Sequence, residues 1–249
     1  MRIGATLSGG FVKGVAHIGF LEALEYKGIP PSFVAGSSAG ALVGALYSFG
    51  LSTKKILEIA KGLSWKDLAR PSLKGGLFKL EGLYSILKEI VGDARIEELP
   101  LPFGLAVVNL RTLKVEFKRE GPLADLVVAS CSVPPLFSPW KVGGDYYADG
   151  GLRNCLPAEM AKAAGVEFNV CCSVNGYTYA FNPNSLLDVA VRASLATVIE
   201  NQETRERYCD IIVNLSLEGN PLSFDMVELF YRTGYDETLK TLEGGVPWL

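Results

Sequence analysis

The chain has 249 residues, 49% of them hydrophobic and 20% charged, which is enough apolar side chain for one large or two small soluble domains with a real core. Disorder and fibrous architecture are excluded. A net charge of −3, from 24 Lys plus Arg against 27 Asp plus Glu, supplies no overall basic field and argues against nucleic acid as a main partner.

Five cysteines, odd in number and without a C-x-x-C pair, indicate neither a disulfide framework nor a zinc site and fit a reducing compartment. A single histidine, His17, excludes multi-histidine metal sites. The start Met1 to Leu7 turns polar at Ser8 before a signal-peptide core can form, and no apolar run reaches the ~18 residues of a membrane span. The chain is therefore read as cytoplasmic.

In chain order, Ile3 to Leu7 reads as a short buried strand that enters the turn Ser8-Gly9-Gly10-Phe11-Val12-Lys13-Gly14. An apolar-faced helix follows from about Val15 to Tyr26, with Gly28 as its stop. Phe33 to Ala35, Gly36-Ser37-Ser38-Ala39-Gly40 and Ala41 to Phe49 repeat the order strand, turn, helix, which means α/β. Two further helices, 52–61 and 82–91, flank an irregular stretch from Ser64 to Leu80 that is the best candidate for a mobile flap. Strands at 103–108 and 113–118, a helix at 123–129, a hairpin at 142–148 and a helix at 157–164 come next. A strand at 168–174, a long helix from Ser185 to about Tyr208, a strand at 211–215 and a helix from Ser223 complete the chain. With no linker or repeat, 1–249 reads as one domain.

Gly36-Ser37-Ser38-Ala39-Gly40 matches G-x-S-x-G between a predicted strand and a predicted helix, the setting of a nucleophile elbow. A serine on a strained turn needs neighbours without Cβ atoms, and the alternative is an ordinary loop capped by Ser37 or Ser38. The glycine turn at 8–14 opens a helix and so presents unpaired amides to an anion. A pyrophosphate, a nucleotide phosphate and an oxyanion compete for it, but the dinucleotide and Walker spacings are both broken. Beside an elbow it becomes an oxyanion-hole candidate, with Lys13 adding positive charge.

A serine nucleophile needs a base. His17 lies upstream of Ser38, in the first turn of a helix, and more plausibly packs behind the site. A carboxylate must then take the proton, with burial raising its pKa from the reference of ~3.9. Asp149, followed by Gly150 and Gly151, is preferred over Asp145, whose place beside Gly143-Gly144 suits a turn residue.

Ser8-Gly9-Gly10-Phe11-Val12-Lys13-Gly14, Gly36-Ser37-Ser38-Ala39-Gly40, Ala129-Ser130-Cys131-Ser132-Val133-Pro134 and Asp149-Gly150-Gly151, in that order, resemble the patatin-like phospholipase family. The resemblance implies a three-layer α/β/α sandwich around a mainly parallel sheet and a Ser-Asp dyad that hydrolyses acyl esters of lipids without histidine or cofactor. Residue by residue it makes Ser38 the nucleophile, Asp149 the base, and the amides of Gly9, Gly10 and Phe11 the oxyanion hole. This sequence departs from the family at Phe11, where a third glycine is usual, and at Lys13, where Arg is more common. A lipid-binding or regulatory protein with weak turnover, and an acyltransferase using the same dyad, are the alternative functions.

Segment 51–80 carries seven Lys or Arg against two acids, a local +5, so the rest of the chain sums to −8. Interleaved with Leu63, Trp65, Leu73, Leu77 and Phe78, this charge suits either an interfacial flap touching anionic lipid or a solvated face. The expected partners are a lipid or acyl-ester substrate and, through 51–80, a membrane surface.

Overall fold

Every residue of strand β1 (Ile3–Leu7) is buried, and the same holds for β2 (Phe33–Gly36) and β5 (Phe103–Asn109). Strands covered on both faces read as apolar runs, as these do. In the computed structural model, which describes residues 1–72, 74–175 and 181–244, they form the centre of an eight-stranded sheet. With β6 (Lys114–Lys118), β7 (Trp140–Val142), β8 (Asp145–Asp149), β9 (Phe168–Ser173) and β10 (Ile211–Asn214), the order is β10-β9-β1-β2-β5-β8-β7, with β6 also paired to β5. From β10 to β5 neighbouring strands are parallel; β6, β7 and β8 pair antiparallel. A separate two-residue pair, β3 (Arg70–Pro71) with β4 (Phe78–Lys79), lies outside this sheet.

Alternation along the strands divides the core into two layers. Ala5, Leu7 and Val34 join the larger core with α1 (Ala16–Tyr26), α2 (Ala39–Ser48), α5 (Glu81–Val91) and α6 (Leu123–Cys131). Phe33 and Ala35 point the other way, onto Met160 and Ala161 of α7 (Ala158–Ala163). Sheet and flanking helices thus make the expected sandwich. The remaining helices are α3 (Thr53–Lys61), the short α4 (Trp65–Leu68), α8 (Leu186–Glu203) and α9 (Val227–Glu243). Among the described residues no helix is long and apolar enough to cross a membrane.

Three sequence expectations are corrected here. The first concerns the cysteines: Cys171 and Cys209 form a disulfide, 38 residues apart in the chain. Cys spacing could not reveal it, because the parallel pairing of β9 with β10, which sets Cys171 opposite Ile212, is what carries Cys209 alongside. The second concerns the stretch 64–80, read as irregular, whose described residues contain α4 and the β3–β4 pair. Leu77 and Phe78 donate backbone hydrogen bonds to Pro135 and Leu136, Ser138 donates one to Phe78, and Gly76 packs so tightly that a Cβ there would lie 2.5 Å from the Ser138 nitrogen. The third concerns the long late helix, which ends at Glu203 and gives way to a 3-10 turn over Glu206–Tyr208.

Candidate active site

β5 is the rail on which the site is built. β2 runs along the first half of one edge of β5 and ends with Gly36 opposite Leu105. β8 occupies the rest of that edge from the opposite direction, with its last residue, Asp149, opposite Val107. The C-terminal ends of β2 and β8 therefore meet head to head, two residues apart on β5. The turn after β2 carries Ser38 and the end of β8 carries Asp149, which brings the two together across 111 positions of sequence.

Ser38 is held at φ 53° and ψ −124° between β2 and α2, the left-handed region that a side chain enters only under constraint. The constraint is visible in its neighbours. A Cβ on Gly36 would lie 2.4 Å from the Gly40 carbonyl oxygen, and one on Gly40 would lie 2.3 Å from that of Leu7, so both positions of the motif require glycine. Ser130 completes the hold: the Ser38 amide donates to Ser130 Oγ at 2.9 Å, and that hydroxyl donates to the Ala106 carbonyl on β5 at 2.8 Å. Sequence reasoning gave Ser130 no role, although it stands in one of the four motifs.

Asp149 is buried; its Oδ1 accepts a hydrogen bond from the Gly151 amide at 2.7 Å, and it shares the cleft with Ser38. Burial pushes its pKa up to about 7; the neighbouring Ser38 hydroxyl and the Gly151 amide oppose that rise without cancelling it. Gly150 lets the loop after β8 cross β5 closely, since a Cβ there would lie 2.2 Å from the Ala106 oxygen. The competitor Asp145 has a surface duty, pairing with Arg111 at 2.8 Å.

The first glycine turn lies directly beside Ser38: a Cβ on Gly9 would come within 3.1 Å of the Ser38 Cβ. Its amides do not all face the site. The Gly9 amide donates to the Cys155 carbonyl at 3.0 Å and the Val12 amide to Pro221 at 3.0 Å. Among the described residues no group accepts from the Gly10 or Phe11 amide, so these two of the three expected donors are the ones free for an anion. Phe11 adopts φ 53° despite its side chain, a strain of about 1 kcal/mol or more.

Lys13 is placed differently from the expectation that it lends charge to an anion. Its side chain is buried and its ammonium donates to the Leu217 carbonyl at 2.5 Å, making it a strut between the glycine turn and the loop before α9. Burial, and then the charge of Arg192, lowers its pKa. His17 is fully buried with Nε2 2.7 Å from the Ser8 carbonyl oxygen, and burial holds its pKa down to about 4, so the ring is neutral and Nε2–H is the donor. It braces the turn from behind and does not serve Ser38.

Two more side chains that sequence reasoning missed lie near the end of α8. Asn201 accepts from the Cys155 amide at 2.8 Å and donates to the Gly151 carbonyl at 2.8 Å, clamping the loop behind Asp149. Gln202 accepts from Asn175 at 2.7 Å and donates to Ser173 at 2.8 Å. Nothing in the helical pattern of α8 distinguishes them. The buried thiol of Cys155 is pushed up to about 12 by desolvation and by Asp149, and that of Cys131 is raised for the same reasons, which keeps both protonated and poorly nucleophilic.

Among the described residues, two cavities open on Ser38. A small cleft holds Asp149, Gly9, Gly10 and Asn175. The larger one, partly open to solvent, spans about 960 Å³ of empty space and is walled by Leu42 and Leu46 of α2, Ile59 of α3, Trp65 of α4 and Leu83 and Leu87 of α5. Trp65 stacks on Phe137 with ring centroids 5.8 Å apart and meets Phe224 edge-on at 5.5 Å. The wall is almost wholly hydrocarbon, the surface that an alkyl chain covers favourably.

Comparisons with known proteins bear on family and fold. An uncharacterised NTE family protein of Mycobacterium tuberculosis is 34% identical over 181 residues, covering 70% of this chain and 49% of its own length. A fungal protein named lysophospholipase nte1, from Neosartorya fischeri, is 26% identical over 290 residues, covering 98% of this chain and 19% of its own. The chain thus spans about half the length of the first relative and a fifth of the second. The crystal structure of VipD from Legionella pneumophila superposes over 98% of this chain and 67% of that one with a TM-score of 0.64 at 17% identity, a likeness of fold. The family model described as patatin-like phospholipase matches residues 5–162, a span that runs from the first strand past both Ser38 and Asp149. This chain belongs to the patatin-like phospholipase family.

Proposed function

We propose that the protein is a serine lipid acyl hydrolase that cleaves acyl esters through a Ser38–Asp149 dyad and an acyl-enzyme intermediate. The observation that carries this reading is the placement of Ser38 in one cleft with a buried carboxylate whose pKa is raised to about 7, at the opening of an apolar cavity. A base poised near neutrality is matched to removing a serine proton at neutral pH. Asp149 takes the Ser38 proton as Oγ bonds to the ester carbonyl carbon, and the amides of Gly10 and Phe11 stabilise the oxyanion. The carbon–oxygen bond to the alcohol then breaks, and Asp149 returns the proton to the leaving oxygen. Water repeats the sequence on the acyl-enzyme and releases the fatty acid.

Exposed Lys54, Lys66, Arg70, Lys74 and Leu77 extend this reading to a membrane surface, a cationic and partly apolar edge that meets anionic lipid. Leu73 of the same segment lies outside the described residues. Replacing Ser38 with Ala tests the catalytic core of the proposal. Hydrolysis of p-nitrophenyl acyl esters is expected to fall at least about a thousandfold with thermal unfolding preserved; turnover retained in that variant refutes the assignment.

A further inference from the structure

Among the described residues, Phe11 and Ser38 alone border both the small cleft with the base and the large apolar cavity. Phe11 reaches this position only by accepting a left-handed φ of 53°. From this arrangement, and resting on the hydrolase reading above, we propose that the Phe11 side chain is a specificity-determining threshold that admits unbranched acyl chains and rejects chains branched next to the ester carbonyl.

An ester carbonyl attacked by Ser38 places its carbon at Oγ and its oxygen at the Gly10 and Phe11 amides. The cleft that holds Asp149 spans about 350 Å³ and is lined by the turns at Gly9–Gly10 and Gly151 together with Val133, Leu152 and Asn175, whereas the cavity of about 960 Å³ is the larger and almost wholly apolar. A long acyl chain therefore runs into the larger space. To reach it the chain passes between the serine and the Phe11 ring, since no other residue bridges the two spaces. The ring is half-buried and packed against the core, so it is a fixed wall at the first carbons of the chain. Lateral bulk at those carbons meets the ring; bulk farther along meets open cavity. The residue thus has two separable parts: its amide serves the oxyanion of any substrate, and its ring discriminates among substrates.

The experiment compares kcat/KM for p-nitrophenyl hexanoate and p-nitrophenyl 2-ethylhexanoate in the wild type, Phe11→Gly and Phe11→Leu. The ratio of the two values is the readout, because a change in oxyanion stabilisation affects both esters alike and divides out, as does their difference in intrinsic reactivity. The branched-to-linear ratio is expected to rise about tenfold or more in Phe11→Gly, with Phe11→Leu intermediate. Where loss of the ring prevents Phe11→Gly from folding, Phe11→Leu alone decides by the direction of its shift. A ratio within about twofold of wild type in the folded variants overturns the threshold while leaving the hydrolase intact. Absence of linear-ester hydrolysis in the wild type instead fails the hydrolase reading on which the proposal depends.

Discussion

Replacing Asp149 with Asn separates the stability of the site from its chemistry. The carboxylate titrates near 3.8 in an unfolded chain and at about 7 in the folded one, because burial disfavours its charge more than the Ser38 hydroxyl and the Gly151 amide favour it. That interval corresponds to roughly 4 kcal/mol against ionisation in the folded state. Between the two values the folded protein binds the proton that the unfolded chain has lost, so this group's contribution to stability is fully present below pH 4 and is lost as pH rises through 7. Asn keeps the shape and an oxygen for the Gly151 amide but cannot ionise, and it carries none of this slope. The variant is therefore expected to match the wild type near pH 4 and to exceed it progressively, approaching roughly 4 kcal/mol at pH 8.5. Urea unfolding of both proteins at half-unit intervals from pH 4.5 to 8.5 measures the difference, in which other titrating groups cancel. For m near 3 kcal/mol/M the midpoints should separate by about 1 M at the alkaline end. Over the same range the variant should be catalytically silent, while wild-type kcat/KM should fall on the acid side with an apparent pKa of about 7 as the base takes up its proton. A stability difference independent of pH, or a wild type more stable than the variant at pH 8.5, would refute the argument that an unfavourably buried carboxylate is the base.

Ser130→Ala removes the hydroxyl that joins the Ser38 amide to the Ala106 carbonyl and leaves both without that partner, for an expected loss of about 2 kcal/mol by urea unfolding and a lower kcat; unchanged stability and rate would show that the elbow does not need this prop. Gly40→Ala would set a Cβ 2.3 Å from the Leu7 carbonyl oxygen, and should either prevent accumulation of folded protein or displace Ser38 and abolish labelling by a fluorophosphonate, whereas a labelled, folded variant contradicts the packing argument. Sedimentation with phosphatidylcholine vesicles should increase when phosphatidylserine is added and decrease with salt; binding indifferent to both assigns the basic residues of 51–80 to a solvated face.

Local chemistry made much of the site legible in the sequence. A serine flanked by glycines two positions away on each side, set between an apolar strand and an apolar helix, has few other uses, and the atoms that a Cβ at Gly36 or Gly40 would strike explain why. The alternation of apolar residues similarly marked most strands and helices, because burial on one or two faces imposes its own period on a chain. The resemblance linked Asp149 to Ser38, but the physical cause of their meeting, two strand ends converging on one edge of β5, is a property of pairing order. No spacing along the chain encodes that order. For the same reason the Cys171–Cys209 disulfide, the diversion of the Gly9 amide to Cys155, the burial of the Lys13 ammonium against Leu217 and the clamp at Asn201 were out of reach. Each is a contact between segments far apart in sequence, and each depends on which backbone group happens to face which side chain once the layers close. Residue type and period determined what the turns could do; tertiary packing decided which amides, charges and rings were left facing the serine to do it.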